Sequence, residues 1–456
     1  MRIIIIGEGK LGIALSERLI AEKHDVVVID TSQDVLSRNE DRMDALFIRG
    51  NGVSLETLSE AEARRADVVI STTASDETNM LACLTAKRLG AQYTIARIRD
   101  PQYLGSLPFL QKELAIDSVI NPERATAREI SRILRYPYAD NIETFARGRV
   151  EMMDFKAGED DPVVNIPLKD MYRINKNLPR VLFCAIERGE EAIIPKGDFV
   201  ILPGDQVHVM ADVASITAFF KALGKDYVHI KKVMVMGGSR IAFYLARMLL
   251  DMNIAVSIIE MDEDKARYLS EELPKAEIIH GDGMDQELLL SEGIQETDAL
   301  ITLSGRDEDN LLCGLFAVQN GVKKVIIKND RYNYSGIIGK VGLSSVVSPL
   351  SITCDTIMRS VRARISRSDD CIRLMYRLMN GKAEALEFIA DRNDDYIDIP
   401  LKDLEVAPDC LVGVIVRDNN IMIPFGNDKI EPGDTVIVIS KAERIHSLKQ
   451  ILGVRK

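Results

Sequence analysis

The residues with the clearest chemical potential are Gly7-Glu8-Gly9-Lys10-Leu11-Gly12, which follow the apolar run Ile3 to Ile6. Glycines at this spacing, between a strand and a helix, permit a tight turn, let backbone approach a pyrophosphate closely and let the helix pack on the strand. A helix opening there offers unpaired N–H groups and a partial positive charge to phosphate. Asp30 ends the next apolar run, 18 residues beyond Gly12 (30 − 12 = 18). A carboxylate at that place accepts hydrogen bonds from a ribose 2′-OH and would repel a 2′-phosphate, which favours NAD or an adenosine nucleotide over NADP.

The same constellation returns as Gly237-Gly238-Ser239-Arg240-Ile241-Ala242, with Glu260 in the acidic position, at an offset of 237 − 7 = 230. Ala is an accepted third residue of this fingerprint, but Ser239 puts a Cβ where backbone should come nearest to phosphate. Residues 66–79 (ADVVISTTASDETN) match 297–310 (TDALITLSGRDEDN) at an offset of 297 − 66 = 231. IPLKD at Ile166 to Asp170 recurs from Ile399, and Pro203-Gly204-Asp205 recurs from Pro432. One unit of about 230 residues has been copied in tandem.

Other residues repeat with it. Asn51, in Gly50-Asn51-Gly52, and Asp282, in Gly281-Asp282-Gly283, follow the third strand at its carboxyl end, where ligands bind in such sheets. These glycines equally suit turns at positive φ. Thr73 ends the fourth strand and should face the cleft; Arg97 and Lys328 end the fifth strands, where a cation meets phosphate or a carboxylate. The Ser75-Asp76-Glu77 and Arg306-Asp307-Glu308 triplets read as helix N-caps with acidic first turns. Arg128, Arg132 and Arg135, and likewise Arg359, Arg362 and Arg364, read as solvated helix faces.

These positions need a frame that holds them. Up to about residue 121 short β-branched runs alternate with amphipathic stretches, the pattern of a parallel sheet with helices on both faces. Pro122 to Tyr136 reads as a connecting helix. From about Arg149 short strands separated by Pro and Gly turns take over. The expected fold class is α/β: two tandem units, each a Rossmann-like doubly wound parallel sheet followed by a small α+β domain. The expected domains are 1–133, 134–225, 230–360 and 361–456.

Composition excludes several roles. The net charge of −12 argues against nucleic acid as a partner. No apolar run approaches the roughly 18 to 20 residues that cross a bilayer, so direct membrane insertion is not expected. The six cysteines form no C-x-x-C pair and read as buried thiols. No Walker motif, G-x-S-x-G elbow or metal-ligand spacing is present. None of the five histidines (His24, His208, His229, His280, His446) is placed as the proton donor that a dehydrogenase needs, so no catalytic residue and no enzyme activity is expected.

The chain resembles the family of tandem RCK (regulator of K+ conductance) proteins of Trk-type potassium uptake. The resemblance rests on GEGKLG with Asp30, the strand ending at Thr73 followed by ASDETNM, the ARIRDPQY segment, IPLKD, PGD and the duplication. It implies NAD(H) binding, as NADH or NAD+, through Gly7 to Leu11, Asp30, Thr73, Ala74 and Arg97. In the second copy it implies Gly237 to Ile241, Glu260 and Ser304. For the protein as a whole ATP or ADP is the alternative to NAD(H). It further implies a cytoplasmic regulatory subunit held at the inner face of the cell membrane by a potassium-translocating partner, and a homotetramer forming an eight-unit ring. An NAD-dependent oxidoreductase and a nucleotide sensor for a different cation transporter are the rival readings.

Overall fold

The computed structural model describes residues 1–454 apart from 104, 136–141, 147, 190, 225–229, 331–344, 366–373, 379–381, 419, 442–444 and 446. Cys371, His229 and His446, and the Tyr136 end expected for the first connecting helix, lie outside the described residues.

The chain begins with β1 (Arg2–Ile6), α1 (Lys10–Ala21), β2 (Asp25–Asp30), α2 (Gln33–Glu40), β3 (Leu46–Arg49) and α3 (Leu55–Glu60). It continues through β4 (Val68–Ser71), α4 (Asp76–Leu89), β5 (Tyr93–Arg97), α5 (Leu107–Glu113), β6 (Ser118–Ile120) and α6 (Pro122–Arg135). Next come β7 (Ile142–Phe145), β8 (Val150–Lys156), α7 (Met171–Ile174), β9 (Leu182–Arg188), β10 (Glu191–Ile193), β11 (Gln206–Asp212) and α8 (Val213–Ala222). The pattern then repeats with β12 (Lys232–Met236), α9 (Arg240–Asp251), β13 (Ala255–Glu260), α10 (Glu263–Glu272), β14 (Glu277–His280) and α11 (Gln286–Ser291). β15 (Ala299–Thr302), α12 (Asp307–Gln319), β16 (Lys324–Lys328), β17 (Ser345–Val347) and the helix Pro349–Ile365 complete that repeat.

Two compact units result, each drawing on both copies. The first combines Met1–Leu134 with Ile230–Val361, the second Arg135–His229 with Arg362–Lys456.

The first unit holds two six-stranded sheets, ordered β3-β2-β1-β4-β5-β6 and β14-β13-β12-β15-β16-β17, with parallel pairing throughout. β1 shows why its sequence does not alternate: Ile3 and Ile5 enter one core and Ile4 and Ile6 the core on the opposite face. The connecting helices tie the copies together. Cys354, Ile357, Met358 and Val361 of Pro349–Ile365 are buried in the core of the first copy beside Leu15 and Leu19. Reciprocally, Ser131 of α6 donates to Met252 Sδ (3.7 Å), and Asn121 Nδ2 donates to the Tyr244 hydroxyl (3.0 Å), which donates to the Arg99 carbonyl (3.1 Å).

In the second unit, antiparallel sheets from the two copies share a core in which Met152, Ala185 and Met210 meet Ala385, Val414 and Ile437. The first of these sheets starts with β7, ahead of the expected onset near Arg149. The repeated Pro-Gly-Asp has a structural job: buried Asp205 takes both forks of Arg188 (2.8 and 2.7 Å) and the Leu202 N–H (2.9 Å). Asp434 does the same for Arg417 (2.9 and 2.8 Å) and the Glu431 N–H (2.8 Å). The five described cysteines are free, four of them buried and Cys410 partly exposed. No described helix is long and apolar enough to cross a membrane.

Candidate functional site

The turn from Gly7 to Gly9 lies at the carboxyl edge of the first sheet, between β1 and α1. There the strand order departs from β1 in both directions, to β2 and to β4, the place where doubly wound sheets open a crevice. Gly7 sits at φ +97°, and a Cβ on it would stand 2.9 Å from the Thr73 nitrogen. A Cβ on Gly12 would stand 2.1 Å from the Gly7 carbonyl oxygen, so this glycine serves helix-to-turn packing. Gly9 differs, because a Cβ there would meet nothing within 4 Å. The protein itself does not require Gly9 to be small; an occupant of the open space would. No side chain caps the first turn of α1, so its N–H groups are left to whatever binds.

Asp30 is fixed at the edge of this space. Its carboxylate accepts the Glu8 N–H (2.7 Å) on one oxygen and the Ser32 N–H (2.8 Å) on the other. Lone pairs remain for a pair of hydroxyls. Thr73 lies two residues past the end of β4, and buried Asn79 organises the neighbourhood. Asn79 Oδ1 accepts from the Thr73 nitrogen and hydroxyl (2.8 Å each), and its Nδ2 donates to the Arg97 carbonyl (2.9 Å). Arg97 donates to the Thr73 carbonyl (2.6 Å), while its buried Nε has no partner among the described residues. Burial, and then the nearby Arg99, lower the proton affinity of this guanidinium. A partly desolvated cation lining a glycine cradle suits an anionic group.

Gly7, Gly9, Lys10, Leu11, Asp30, Asn51, Thr73, Ala74 and Arg97 all line one cavity of about 790 Å³. Glu8 and Gly12 do not. Glu8 turns inward and is 1% exposed; Ser16 donates weakly to its Oε2 (3.4 Å), and Oε1 has no partner among the described residues. Burial lifts this carboxyl to about 7, opposed by the Ser16 hydrogen bond and aided by Asp30 and Glu17.

The second cavity, about 1200 Å³, gathers Gly237, Gly238, Ser239, Arg240, Ile241, Glu260, Asp282 and Ser304. Glu260 repeats Asp30, accepting the Gly238 N–H (2.6 Å) and the Asp262 N–H (2.9 Å). Lys328 donates to the Ser304 carbonyl (2.7 Å) as Arg97 does to that of Thr73. The difference lies in the helix start: Ser239 Oγ accepts the Ala242 N–H (3.4 Å) and takes up a donor that α1 leaves free.

Two expectations need correction. Gly50, Gly52, Gly281 and Gly283 are not at positive φ; a Cβ on Gly52 would press 2.2 Å from Ile6 Cγ2, so close packing explains the residue. Ser75 does cap α4, accepting the Thr78 N–H (3.1 Å), but Arg306 makes no side-chain cap on α12. Asp76 does more than bias a first turn: it accepts the N–H groups of Arg99 and Asp100 (2.8 Å each) and fixes that segment.

That segment carries residues the sequence did not mark. Arg99, Asp100 and Gln102 of the first copy line the second cavity, while Asp330, Leu350 and Thr353 of the second copy line the first. The one available signal was Arg99 itself, two residues beyond Arg97.

Doubly wound sheets with a glycine turn and an acid at the crevice, present twice, define a tandem Rossmann-type protein with two dinucleotide-sized cradles. The family model of the TrkA-N domain matches residues 3–122 and 233–349, and that of the TrkA-C domain matches 152–224 and 385–453; the chain belongs to the TrkA family. It is 31% identical to the Trk system potassium uptake protein TrkA homolog 1 of Methanosarcina mazei, over 97% of this chain and 98% of that one. Against the Trk system potassium uptake protein TrkA of Vibrio alginolyticus identity is 32%, over 96% of this chain and 95% of that one. Among solved structures it shares its fold with the GsuK RCK domain (TM-score 0.63, 15% identity, 97% of this chain and 92% of that chain). The GsuK channel bound to NAD superposes with a TM-score of 0.64 at 15% identity, covering 97% of this chain and 77% of that chain.

Proposed function

We propose that this chain is a nucleotide-sensing regulatory subunit of a Trk-type potassium uptake system, coupling NAD(H) or an adenine nucleotide to the gating of a membrane potassium-translocating partner. The observation that carries this reading is the first cradle: uncapped α1, open space at Gly9, Asp30 held for hydroxyls, and the partly desolvated Arg97 cation lining the cavity. The printed names of the relatives supply the transport system, and NAD in a GsuK channel supplies the ligand class.

When bound, the nucleotide would bring a diphosphate and a ribose diol. The N–H groups of α1 and Arg97 would hold the phosphates, Asp30 the diol, and Asn51, Thr73 and Ala74 would close the walls. Gly237 to Ile241, Glu260, Asp282 and Ser304 would act likewise in the second cradle. Each cavity is lined from both copies, so a ligand that fits one arrangement of the pair better than another shifts their balance. Couplings of this kind run to about 1–3 kcal/mol. On this reading the ligand is sensed and not turned over. A homotetramer presenting eight units beneath the partner, at the cytoplasmic face, is the assembly this reading expects.

The test is calorimetric titration of the full chain with NADH, NAD+, ADP and ATP, paired with potassium uptake by cells carrying the chain with its membrane partner. Binding, together with nucleotide-dependent uptake abolished by Asp30→Ala, is the expected result. Steady oxidation of NADH by the purified chain with an added substrate would favour the oxidoreductase instead.

A further inference from the structure

Glu8 occupies an unusual position for a carboxyl. Its backbone belongs to the turn that frames the first cavity and donates to Asp30 (2.7 Å), yet its side chain is buried behind that turn with Oε1 unpartnered among the described residues. Leaving a buried ionised carboxylate half satisfied is costly, whereas a protonated one loses far less. The charged groups bearing on it are Asp30, at the end of β2, and Glu17, on α1, both carboxylates that favour the proton-bound form. Among the described residues no cation is one of the groups that shift it. β1 contributes isoleucines, α2 buries Leu36 and Asn39, Lys10 is exposed, and on the helix Pro349–Ile365 Asp355 pairs with Arg18.

The second copy lacks the group and the room for it. Gly238 stands in the place of Glu8, and a Cβ there would lie 2.5 Å from Leu269 Cδ1. Leu269 in turn stands where the first copy has Asn39 (269 − 230 = 39). Two polar residues of the first copy, Glu8 and Asn39, are thus replaced by glycine and leucine in the second.

We propose that Glu8 makes nucleotide binding at the first cradle proton-linked, so that affinity there weakens as pH rises while the second cradle does not respond. The inference rests on the nucleotide reading of the cradle given above. Phosphate charge brought to the turn disfavours ionised Glu8, so the complex takes up a proton from solvent wherever the free protein has released it. The carboxyl lies at about 7 in the ligand-free chain, which sets the sign and window. Affinity is flat at acid pH, where Glu8 already holds its proton, and falls above neutrality by at most tenfold per pH unit.

The experiment is NADH titration of the full chain by calorimetry from pH 6 to 8.5, in buffers of differing ionisation enthalpy. NADH is chosen because its diphosphate diesters do not titrate in that range. Glu260→Ala is included to weaken the second cradle. Expected is a loss of affinity of roughly three- to tenfold across the range, with proton uptake on binding, both removed by Glu8→Gln. Parallel profiles in the parent and Glu8→Gln would overturn the proposal, as would binding without proton uptake in the parent, a measurement that needs no Glu8 variant. Absence of NADH binding at every pH would instead overturn the nucleotide reading, and this inference with it.

Discussion

The two cradles of this chain share a frame, and the differences that bear on ligand and packing fall at the second, third and sixth residues of the turn. Asp30 and Glu260 each clamp the turn and the start of the next helix through two backbone N–H groups. Against that common clamp, Gly9 leaves open space where Ser239 brings a hydroxyl that caps its own helix. Gly12 has no room for a methyl, whereas Ala242 carries one, and Glu8 buries a carboxyl where Gly238 has nothing. A duplicated site can therefore keep its ribose-facing acid while its phosphate-facing turn diverges. The acid has a structural duty independent of any ligand; the N–H groups of the helix start do not.

Exchanging these residues between the copies tests that view, and the largest effect belongs to Gly12. Gly12→Ala drives a methyl against the Gly7 carbonyl, 2.1 Å away, and should cost roughly 1–3 kcal/mol of stability, seen as a lower unfolding midpoint. Ala242→Gly loses only helix propensity, about 1 kcal/mol. Equal losses would mean that the two turns are not built differently. Next comes Asp30→Ala, which removes an ionised acceptor and should weaken NADH binding at the first cradle by about tenfold or more, from roughly 1.5–3 kcal/mol for a charged hydrogen bond. Unchanged calorimetric affinity would confine Asp30 to its clamping duty.

Gly9→Ser should leave the unfolding midpoint where it is, since nothing lies within 4 Å, yet weaken NADH binding severalfold by making the first turn resemble the second. A falling midpoint with intact affinity would reverse the reading of that space. A separate effect is expected on stability against pH. The folded carboxyl of Glu8 is raised to about 7 from an ordinary 4.5, so its stabilising contribution is complete below about pH 4.5 and is lost as pH rises through about 7. Glu8→Gln should flatten that part of the curve in unfolding scans between pH 4.5 and 8, and an unaltered slope would place the titrating group elsewhere.

Much of this architecture is legible in the sequence because the signals are local. The apolar run Ile3 to Ile6, the glycine spacing and Asp30 specify a strand, a turn and a helix within one short segment, and the copy at an offset of 230 repeats the message. What escapes is what depends on the partner copy. Beyond the place of Arg99 two residues past Arg97, nothing announces that Arg99, Asp100 and Gln102 line the second cavity, and nothing near Leu350 or Thr353 announces the first. The inward turn of Glu8 is equally silent, since a charged residue in a polar loop reads as solvated until the helix behind it is in place. Gly50 and Gly52 show a third kind of failure, where a glycine needed for contact with Ile6 or Thr57 looks the same as one needed for its backbone angle.

The exchange of connecting helices has a consequence for how the chain comes apart. Cys354, Ile357, Met358 and Val361 are interior residues of a domain that the chain completed more than two hundred residues earlier, and the shared core of the second unit is likewise built from both copies. A cut in the chain between the repeats would leave them held together, because each fragment supplies part of the other's interior. Expressed alone, either repeat would display that apolar face and would be driven to pair with a second molecule of itself. The duplicated chain behaves as a dimer whose two partners are delivered in fixed proportion and cannot exchange.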